Sequence, residues 1–205
     1  MIKVVDYGLG NVQAFLDICR RQNIEATNAR TADELDGAER LILPGVGSFD
    51  WAMSRLNGSG MREKLDQMVQ EDKVPVLGVC VGMQMMADRS EEGSEPGLGW
   101  IPGEVVRFDE TSFNHRTHLP HMGWNDVAPV STTGLFDGLD APKYYFLHSF
   151  HYEPADQADV LATTTYGSRF ASAIHREHVF GTQFHPEKSH HWGVELIANF
   201  AGKAN

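Results

Sequence analysis

The sequence of 205 residues has few cysteines, few basic residues and no long apolar run. Its two cysteines, Cys19 and Cys80, are too few for a disulfide framework or a cysteine-rich zinc site. Lys and Arg number 17 against 28 Asp and Glu, and the net charge of −11 disfavours a nucleic-acid or anionic-membrane surface. No stretch approaches the ~20 apolar residues that span a bilayer. With no signal-peptide pattern at the start, these features predict a cytoplasmic protein.

Strand and helix patterns alternate in the first half of the chain. Short apolar runs at residues 2–5, 40–43 and 74–79 predict strands, and the segments that follow them have helical spacing. A helix is expected from residue 80 to about residue 89. This alternation of strands and helices predicts a mostly parallel central sheet that is flanked by helices, an α/β fold.

The second half of the chain has a different texture, with short β-like runs joined by loops rich in Gly, Pro and Asp. The runs cover residues 104–108, 144–147, 158–165, 169–175 and 179–184. Residues 109–118 are polar and irregular and predict an exposed loop, and a last helix is expected over about 192–201. No linker separates the halves, so we expect a single domain over residues 1–205 with an additional β-rich C-terminal half.

A cysteine lies between two glycines in Gly78-Val79-Cys80-Val81-Gly82, where an apolar run gives way to a helical pattern. The spacing matches the Gly-x-Ser-x-Gly elbow, a tight strand-to-helix turn that presents a nucleophile. Glycines at these places remove clashes, and the start of a helix favours a thiolate. An inert buried cysteine is the alternative, and it suits Cys19, which lies on the apolar face of its helix. The flanking glycines favour the nucleophile for Cys80.

A cysteine nucleophile needs a base, and His185 in Gln183-Phe184-His185-Pro186-Glu187 is the best candidate among the ten histidines. The following proline favours an extended backbone at His185. In an extended chain Glu187 points the same way as His185 and can hold one ring nitrogen. The sequence therefore predicts a Cys–His–Glu triad of nucleophile, general base and orienting carboxylate.

A third glycine-containing segment, Pro44-Gly45-Val46-Gly47, follows a predicted strand. Its glycines would let backbone amides approach a ligand closely and let a peptide reorient. It is either an ordinary turn or an oxyanion loop that supplies a second donor.

Together these segments resemble the class I, or triad, glutamine amidotransferases. The resemblance rests on Gly78–Gln84 and on Gln183–Ser189. Within that family, four further segments are similar to the glutaminase subunits of imidazole glycerol phosphate synthases, enzymes of histidine biosynthesis. These segments are Asp6–Asn11, Leu43–Phe49, Leu119–Asn125 and Tyr144–Ser149.

The resemblance implies a role for each matching residue. Cys80, His185 and Glu187 would be catalytic, and the backbone amides of Val46, Gly47 and Val81 would stabilise the oxyanion. Gln84, His148 and Ser149 would line the glutamine pocket. No cofactor or metal is implied.

The resemblance also implies a partner, a (β/α)8-barrel cyclase that receives the ammonia and forms a heterodimer with the glutaminase. Positions expected near that interface are Leu9, Gly10, Asn11, Trp124, Tyr145 and Lys188. A core aromatic is the alternative for Trp124. The bulky run His190-His191-Trp192 departs from the family pattern beside the expected interface, and Val81 stands where leucine is usual.

Three other functions stay open from the sequence. A paralogous amidotransferase subunit would supply ammonia for a bacterial surface-polysaccharide sugar. A stand-alone cysteine hydrolase or peptidase would use the same triad. A metal or binding protein would use His185, His190 and His191, although their spacing offers no closed ligand set.

Overall fold

A computed structural model of the protein describes residues 1–113, 117–131 and 134–202. The strands are β1 (Ile2–Val5), β2 (Ala26–Ala29), β3 (Arg40–Gly45), β4 (Val76–Cys80), β5 (Arg89–Ser90), β6 (Gly103–Arg107), β7 (His121–Asp126), β8 (Ala128–Pro129), β9 (Lys143–His148), β10 (Phe150–Pro154), β11 (Val160–Tyr166), β12 (Ser168–Arg176) and β13 (Val179–Thr182). The α-helices are α1 (Val12–Arg21), α2 (Phe49–Gly58), α3 (Arg62–Asp66), α4 (Val81–Gln84) and α5 (His190–Phe200). A π-helical turn over Gln67–Glu71 continues α3.

Within the described residues, 11 strands form one sheet, and β7 and β9 form a separate two-stranded antiparallel sheet. The main path runs β2-β1-β3-β4-β13-β12-β10-β6-β5, with β11 beside β12 and β8. From β2 to β13 each neighbouring pair is parallel, and β12 pairs antiparallel with its neighbours. The predicted α/β fold, with a parallel central sheet and a β-rich second half, is confirmed.

The centre of the sheet places the end of β3 beside the end of β4. Every residue of β4 is buried, as is typical of a parallel strand covered on both faces. In the register of the two strands, Gly45 lies opposite Cys80. The loop after β3 and the turn after β4 therefore leave the sheet at the same edge, where ligands bind in open α/β sheets.

The chain after β4 leaves the helical path early, so the predicted helix over residues 80–89 is wrong beyond Gln84. The carbonyl groups of Met85, Met86 and Ala87 accept hydrogen bonds from the backbone of residues 98–101 instead of from the next helical turn. A packed return segment thus replaces the last turns of the helix, and the chain then enters β5.

Strands β2, β7 and β10 were not predicted from the sequence pattern. β2 reads ATNA and has no bulky apolar residue, and β7 and β10 mix aromatic, polar and glycine or proline residues. In the predicted loop over 109–118, residues 110–112 form a 3₁₀ turn, and residues 114–116 lie outside the described part of the chain. None of the helices described is long and apolar enough to cross a membrane.

Candidate active site

Cys80 ends β4 with a backbone conformation of φ 56° and ψ −115°. A positive φ is unfavourable for a residue with a side chain, and residues held in this way cluster at functional sites. The neighbouring strand β3 and the first turn of α4 hold the conformation in place. The strained turn is the elbow that the sequence predicted, and it separates the buried strand from α4.

The glycines around Cys80 are needed for close packing of backbone. A Cβ on Gly82 would lie 2.0 Å from the Leu43 carbonyl oxygen, and a Cβ on Gly45 would lie 2.3 Å from the Gly82 nitrogen. On the strand side, a Cβ on Gly78 would lie 2.6 Å from Met86 Cε and 2.7 Å from the Gly82 carbonyl oxygen. The backbone segments around Cys80 therefore pack directly against one another, and side chains would not fit at Gly45, Gly78 or Gly82.

His185 and Glu187 are in contact beside the elbow, with 2.9 Å between Nδ1 and Glu187 Oε1. His185 has the expected extended backbone, but residues Pro186–Lys188 form a 3₁₀ turn, so the chain is not extended as far as Glu187. The His185 N–H donates to the Tyr145 carbonyl, and the Ser189 hydroxyl donates to the His185 carbonyl. These backbone contacts fix the ring, and Nδ1–H donation to Glu187 leaves Nε2 for Cys80.

Burial of the His185 ring lowers its pKa, but hydrogen bonds and charge interactions with Cys80 and Glu187 outweigh burial and raise the pKa to about 9. The side chains of His185 and Glu187 are 4% and 3% exposed. Glu187 Oε2 is buried and has no hydrogen-bond partner among the described residues. The carboxylate is therefore compensated chiefly by the imidazole, and the arrangement favours an imidazolium beside the sulfur.

The loop after β3 borders Cys80 on the other side. Gly47 has φ +88°, a conformation that suits glycine, and Val46 is partly exposed. The Tyr7 hydroxyl donates to the Pro44 carbonyl at 2.8 Å and anchors the start of the loop. Val81 begins α4, where backbone N–H groups lack partners inside the helix. The expected oxyanion donors Val46, Gly47 and Val81 thus border the same space as Cys80.

A cavity of about 400 Å³ joins these residues. Its lining consists of Val46, Gly47, Cys80, Val81, Gln84, Glu92, Arg107, Pro120, Leu147, His148, Ser149, Phe150, His185 and Lys188. Every residue predicted for the oxyanion and glutamine-binding roles is in this lining, and Glu187 lies behind His185. The volume is in the range of small-molecule sites.

Two of the expected glutamine-binding side chains already have partners in the protein. Gln84 Nε2 donates to the Phe150 carbonyl at 3.1 Å and to Gln183 Oε1 at 3.0 Å. His148 uses Nδ1 for the Phe150 carbonyl and Nε2 for His121. A ligand in the cavity therefore meets Oε1 of Gln84 and the carbon edge of the His148 ring. Ser149 is half-buried at the cavity wall.

Two oppositely charged residues of the cavity lining, Glu92 and Arg107, were not predicted from the sequence; Lys188 is a further cation in this lining. Glu92 accepts a hydrogen bond from the Phe49 N–H at the start of α2, and Arg107 ends β6 and pairs with Glu110. Glu92 comes from a turn and Arg107 from a strand end, and neither segment belongs to the elbow. The side-chain pattern of residues 90–93 carries no signal that this turn faces the cavity.

Three of the expected interface residues, Trp124, Tyr145 and Lys188, form one surface cluster. Trp124 meets Tyr145 edge to face at 6.4 Å, and Lys188 Nζ lies 5.8 Å from the centre of the Tyr145 ring. His190 stacks on Trp124 at 5.0 Å with an interplanar angle of 5°, which places the unusual histidine run in this cluster. Trp124 is 46% exposed, so the alternative of a core aromatic is wrong.

The other three expected interface residues, Leu9, Gly10 and Asn11, form the loop between β1 and α1. Gly10 has φ +91°, and a Cβ there would lie 2.6 Å from Pro44 Cβ. This loop therefore packs on the segment that leads into Val46 and Gly47. Asn11 is exposed, whereas Leu9 and Gly10 are half-buried.

Comparison with known proteins gives one family and a consistent set of relatives. Residues 3–204 match the family model "Glutamine amidotransferase class-I". The chain is 56% identical over 202 residues to the imidazole glycerol phosphate synthase subunit HisH of Bdellovibrio bacteriovorus, with 98% of this chain and 99% of that protein covered. It is 47% identical over 202 residues to the protein of the same name from Leptospira borgpetersenii, with 98% and 99% covered.

Solved structures support the same fold at lower sequence similarity. The crystal structure of a glutamine amidotransferase superposes with a TM-score of 0.76 at 20% identity, covering 98% of this chain and 98% of that chain. At this identity the likeness concerns the fold alone.

Proposed function

The chain belongs to the class-I glutamine amidotransferase family, and we propose that it hydrolyses glutamine with Cys80, His185 and Glu187 and passes the ammonia to a synthase partner. The observation that supports this proposal is a strained cysteine and a carboxylate-paired histidine that meet at one cavity. A cytoplasmic location is part of the proposal.

The geometry supports a two-step acyl transfer. The Cys80 sulfur attacks the side-chain amide carbon of glutamine, and the amides of Val46, Gly47 and Val81 stabilise the negative oxygen that forms. His185 gives its proton to the departing nitrogen, which leaves as ammonia, and a glutamyl thioester remains. Water then attacks the thioester while His185 takes a proton, and glutamate leaves with the Cys80 sulfur restored.

The charges in the cavity suit the main-chain groups of a free amino acid. Arg107 is placed to face the α-carboxylate and Glu92 the α-ammonium of glutamine, with Ser149 and the Gln84 carbonyl oxygen beside them. His148 acts as a wall of this pocket because its nitrogens are engaged elsewhere.

The relatives' names say "subunit", so we infer a partner, and we propose a (β/α)8-barrel cyclase of histidine biosynthesis. Met122, Trp124, Tyr145 and Leu147 lie on paired strands β7 and β9, and three of them are at least 40% exposed. Leu147 also lines the cavity beside Lys188. We call Met122, Trp124, Tyr145 and Leu147 the apolar face, and we propose that it docks the cyclase together with Lys188 and the loop of Leu9, Gly10 and Asn11.

A polysaccharide-pathway paralogue is less well supported, because the relatives named above carry the histidine-pathway name. A stand-alone hydrolase would leave the apolar face unexplained. For the metal alternative, the described residues contain no group of three or more His, Cys, Asp or Glu that could hold a metal ion.

The test is glutamate release from glutamine by the purified chain, with and without the barrel cyclase and its nucleotide substrate. We expect slow turnover alone and a rate at least tenfold higher in the complex, because docking would move the oxyanion loop into its donating arrangement. Cys80→Ala should abolish glutamine hydrolysis while the complex still uses ammonium salts. Full activity of the isolated chain would contradict the coupling, and residual activity of Cys80→Ala would contradict the triad.

A further inference from the structure

A continuous series of hydrogen bonds connects β7 to the nucleophile. Asn125 Nδ2 is 3.1 Å from His121 Nε2, His121 Nδ1 is 2.9 Å from His148 Nε2, and His148 Nδ1 is 2.8 Å from the Phe150 carbonyl. The same carbonyl accepts from Gln84, which also donates to Gln183, and Gln183 Nε2 lies 3.8 Å from the Cys80 sulfur. Of these groups, the acyl transfer described above uses only the sulfur.

The directions of the hydrogen bonds from β7 to Phe150 follow from Asn125, and those from Phe150 to Cys80 follow from the Phe150 carbonyl, which can only accept from Gln84. Its Oδ1 accepts from the Asp126 N–H, and its Nδ2 donates to the Thr165 carbonyl, so the amide can present only an N–H to His121. His121 Nε2 must then accept, His121 Nδ1–H must donate to His148 Nε2, and His148 Nδ1–H must donate to the Phe150 carbonyl. Both histidines are neutral in this arrangement, each in one tautomer.

The surroundings of the two histidines favour this neutral state. The His121 ring stacks between Phe146 at 4.6 Å and Tyr166 at 4.0 Å. Burial lowers the pKa of His121 to about 4, and burial together with His121 holds the pKa of His148 well below its usual value. Neither ring gains a proton near neutral pH, so the series stays unchanged where the enzyme works.

Gln183 is the residue that brings the series to the sulfur. It is fully buried, its N–H donates to the Ser172 carbonyl, and its side-chain oxygen accepts from Gln84. This last contact fixes the amide orientation, so that the NH₂ group faces Cys80 Sγ. The thiol can in turn donate to the Leu147 carbonyl, 3.9 Å away. A buried amide that is oriented on both sides costs more to place than an apolar side chain, and here it is aimed at the reacting atom.

We propose that Gln183 is a positioning residue for the Cys80 sulfur and that Asn125, His121, His148 and Gln84 hold its amide in the donating orientation. The proposal rests on the proposed function in taking Cys80 as the nucleophile. The N–H of Gln183 supports the thiolate and fixes the side chain for attack, and no proton is transferred along the series. Asn125 lies on the inner face of β7 with His121, because successive residues of a strand point to opposite faces, so the series runs behind the apolar face.

Several other charged or titratable groups act on the same sulfur or line its cavity; none of them is substituted in the variants below, although His121→Phe removes the hydrogen bond to His148. They are His185, Glu187, Tyr7, Glu92, Arg107, His148 and Lys188.

The test is the pH dependence of Cys80 alkylation by iodoacetamide, followed by mass spectrometry of the Cys80 peptide. Gln183→Met keeps the length of the side chain and removes the donor, so we expect the pH midpoint to move up by about 0.5–1 unit. His121→Phe keeps the stacking and breaks the series at a distance, so we expect a smaller upward shift. Ser172→Ala is the matched control, because it removes a buried hydroxyl that has no hydrogen-bond partner among the described residues and lies beside Gln183.

Steady-state kinetics of the complex separate positioning from substrate binding. For Gln183→Met we expect kcat to fall about tenfold with KM for glutamine within twofold. Equal alkylation midpoints for Gln183→Met and the unchanged protein would overturn the proposal. If Gln183→Met does not fold, equal midpoints for His121→Phe and the unchanged protein would overturn it instead. If the midpoints shift but the unchanged protein releases no glutamate from glutamine, Gln183 still acts on the sulfur and it is the proposed function that fails.

Discussion

At the scale of the residue, Cys80 combines an unfavourable backbone conformation with a position at the end of a buried strand. Its positive φ turns the chain sharply from β4 into α4, and its position at the end of β4 places it beside the glycine loop after β3. His185 reaches the same point through its backbone bond to Tyr145. The chemistry therefore depends on main-chain geometry as much as on the choice of side chains.

Replacing Glu187 by Gln tests how the carboxylate acts on His185. The raised pKa of His185, about 9, means that the native state holds a proton between about pH 6.5 and 9 that the unfolded chain has lost. This contribution to stability is complete below pH 6.5 and disappears as the pH rises through 9. In Glu187→Gln the His185 pKa falls, so we expect a smaller loss of unfolding free energy over this range.

Urea denaturation at pH 6.5 and pH 9 measures this difference. The alkaline limb of the pH–rate profile for glutamine should move to lower pH in the same variant, with a rate reduced by about 10- to 100-fold. The conservative variant Glu187→Asp is the control, since it keeps the charge. An unchanged alkaline limb in Glu187→Gln would mean that the carboxylate does not support the imidazolium.

At the scale of the element, the elbow was predictable and its surroundings were not. The spacing of Gly78, Cys80 and Gly82 predicted a tight turn because glycine has few other uses at a strand end. The helix after it was overestimated, because main-chain bonds from residues 98–101 capture the carbonyls of 85–87, and no local pattern encodes them. The approach of His185 to Cys80 was predicted from chemistry, although the turn at Pro186–Lys188 was not.

The site residues that the sequence pattern did not predict escaped prediction for one physical reason. Glu92 and Arg107 enter the cavity from a turn and from the end of β6, and their positions depend on how distant strands pair. His121 and Asn125 sit on β7, whose pattern HMGWND lacks a strand signal, so the hydrogen-bond series to Gln183 has no trace in the sequence. Side chains that are brought to a site by the pairing of distant strands can be identified only from the three-dimensional structure.

Substitution of Gly82 by Ala tests the packing of the elbow. The added Cβ would meet the Leu43 carbonyl oxygen at 2.0 Å, and backbone of β3 cannot move aside easily. We expect a loss of about 2–3 kcal/mol in unfolding free energy and a lower rate of glutamine hydrolysis. Gly58→Ala is the matched control, because nothing lies within 4 Å of its Cβ. Equal urea midpoints for the two variants would show that the elbow is not tightly wedged.

At the scale of the whole molecule, the cavity and the apolar face lie next to each other. Leu147, a member of the apolar face, lines the cavity, and so does Lys188, which lies beside Tyr145 of that face. The strand pair β7–β9 presents the apolar face outward and His148 inward. A partner seated on β7 and β9 would therefore cover the cavity opening beside Leu147, by which we propose that ammonia leaves.

Two exposed apolar residues allow a matched test of this arrangement. Met122 is 65% exposed on the apolar face, and Val130 is 66% exposed just after β8, outside that face. Met122→Asp places a charge where a partner would remove water, and we expect at least tenfold weaker binding of the cyclase by calorimetry, with thermal stability unchanged. Val130→Asp adds the same charge at the same exposure and should leave binding within twofold. If both variants bind equally, the docking surface lies elsewhere, and an ammonia exit beside Leu147 would then open to water.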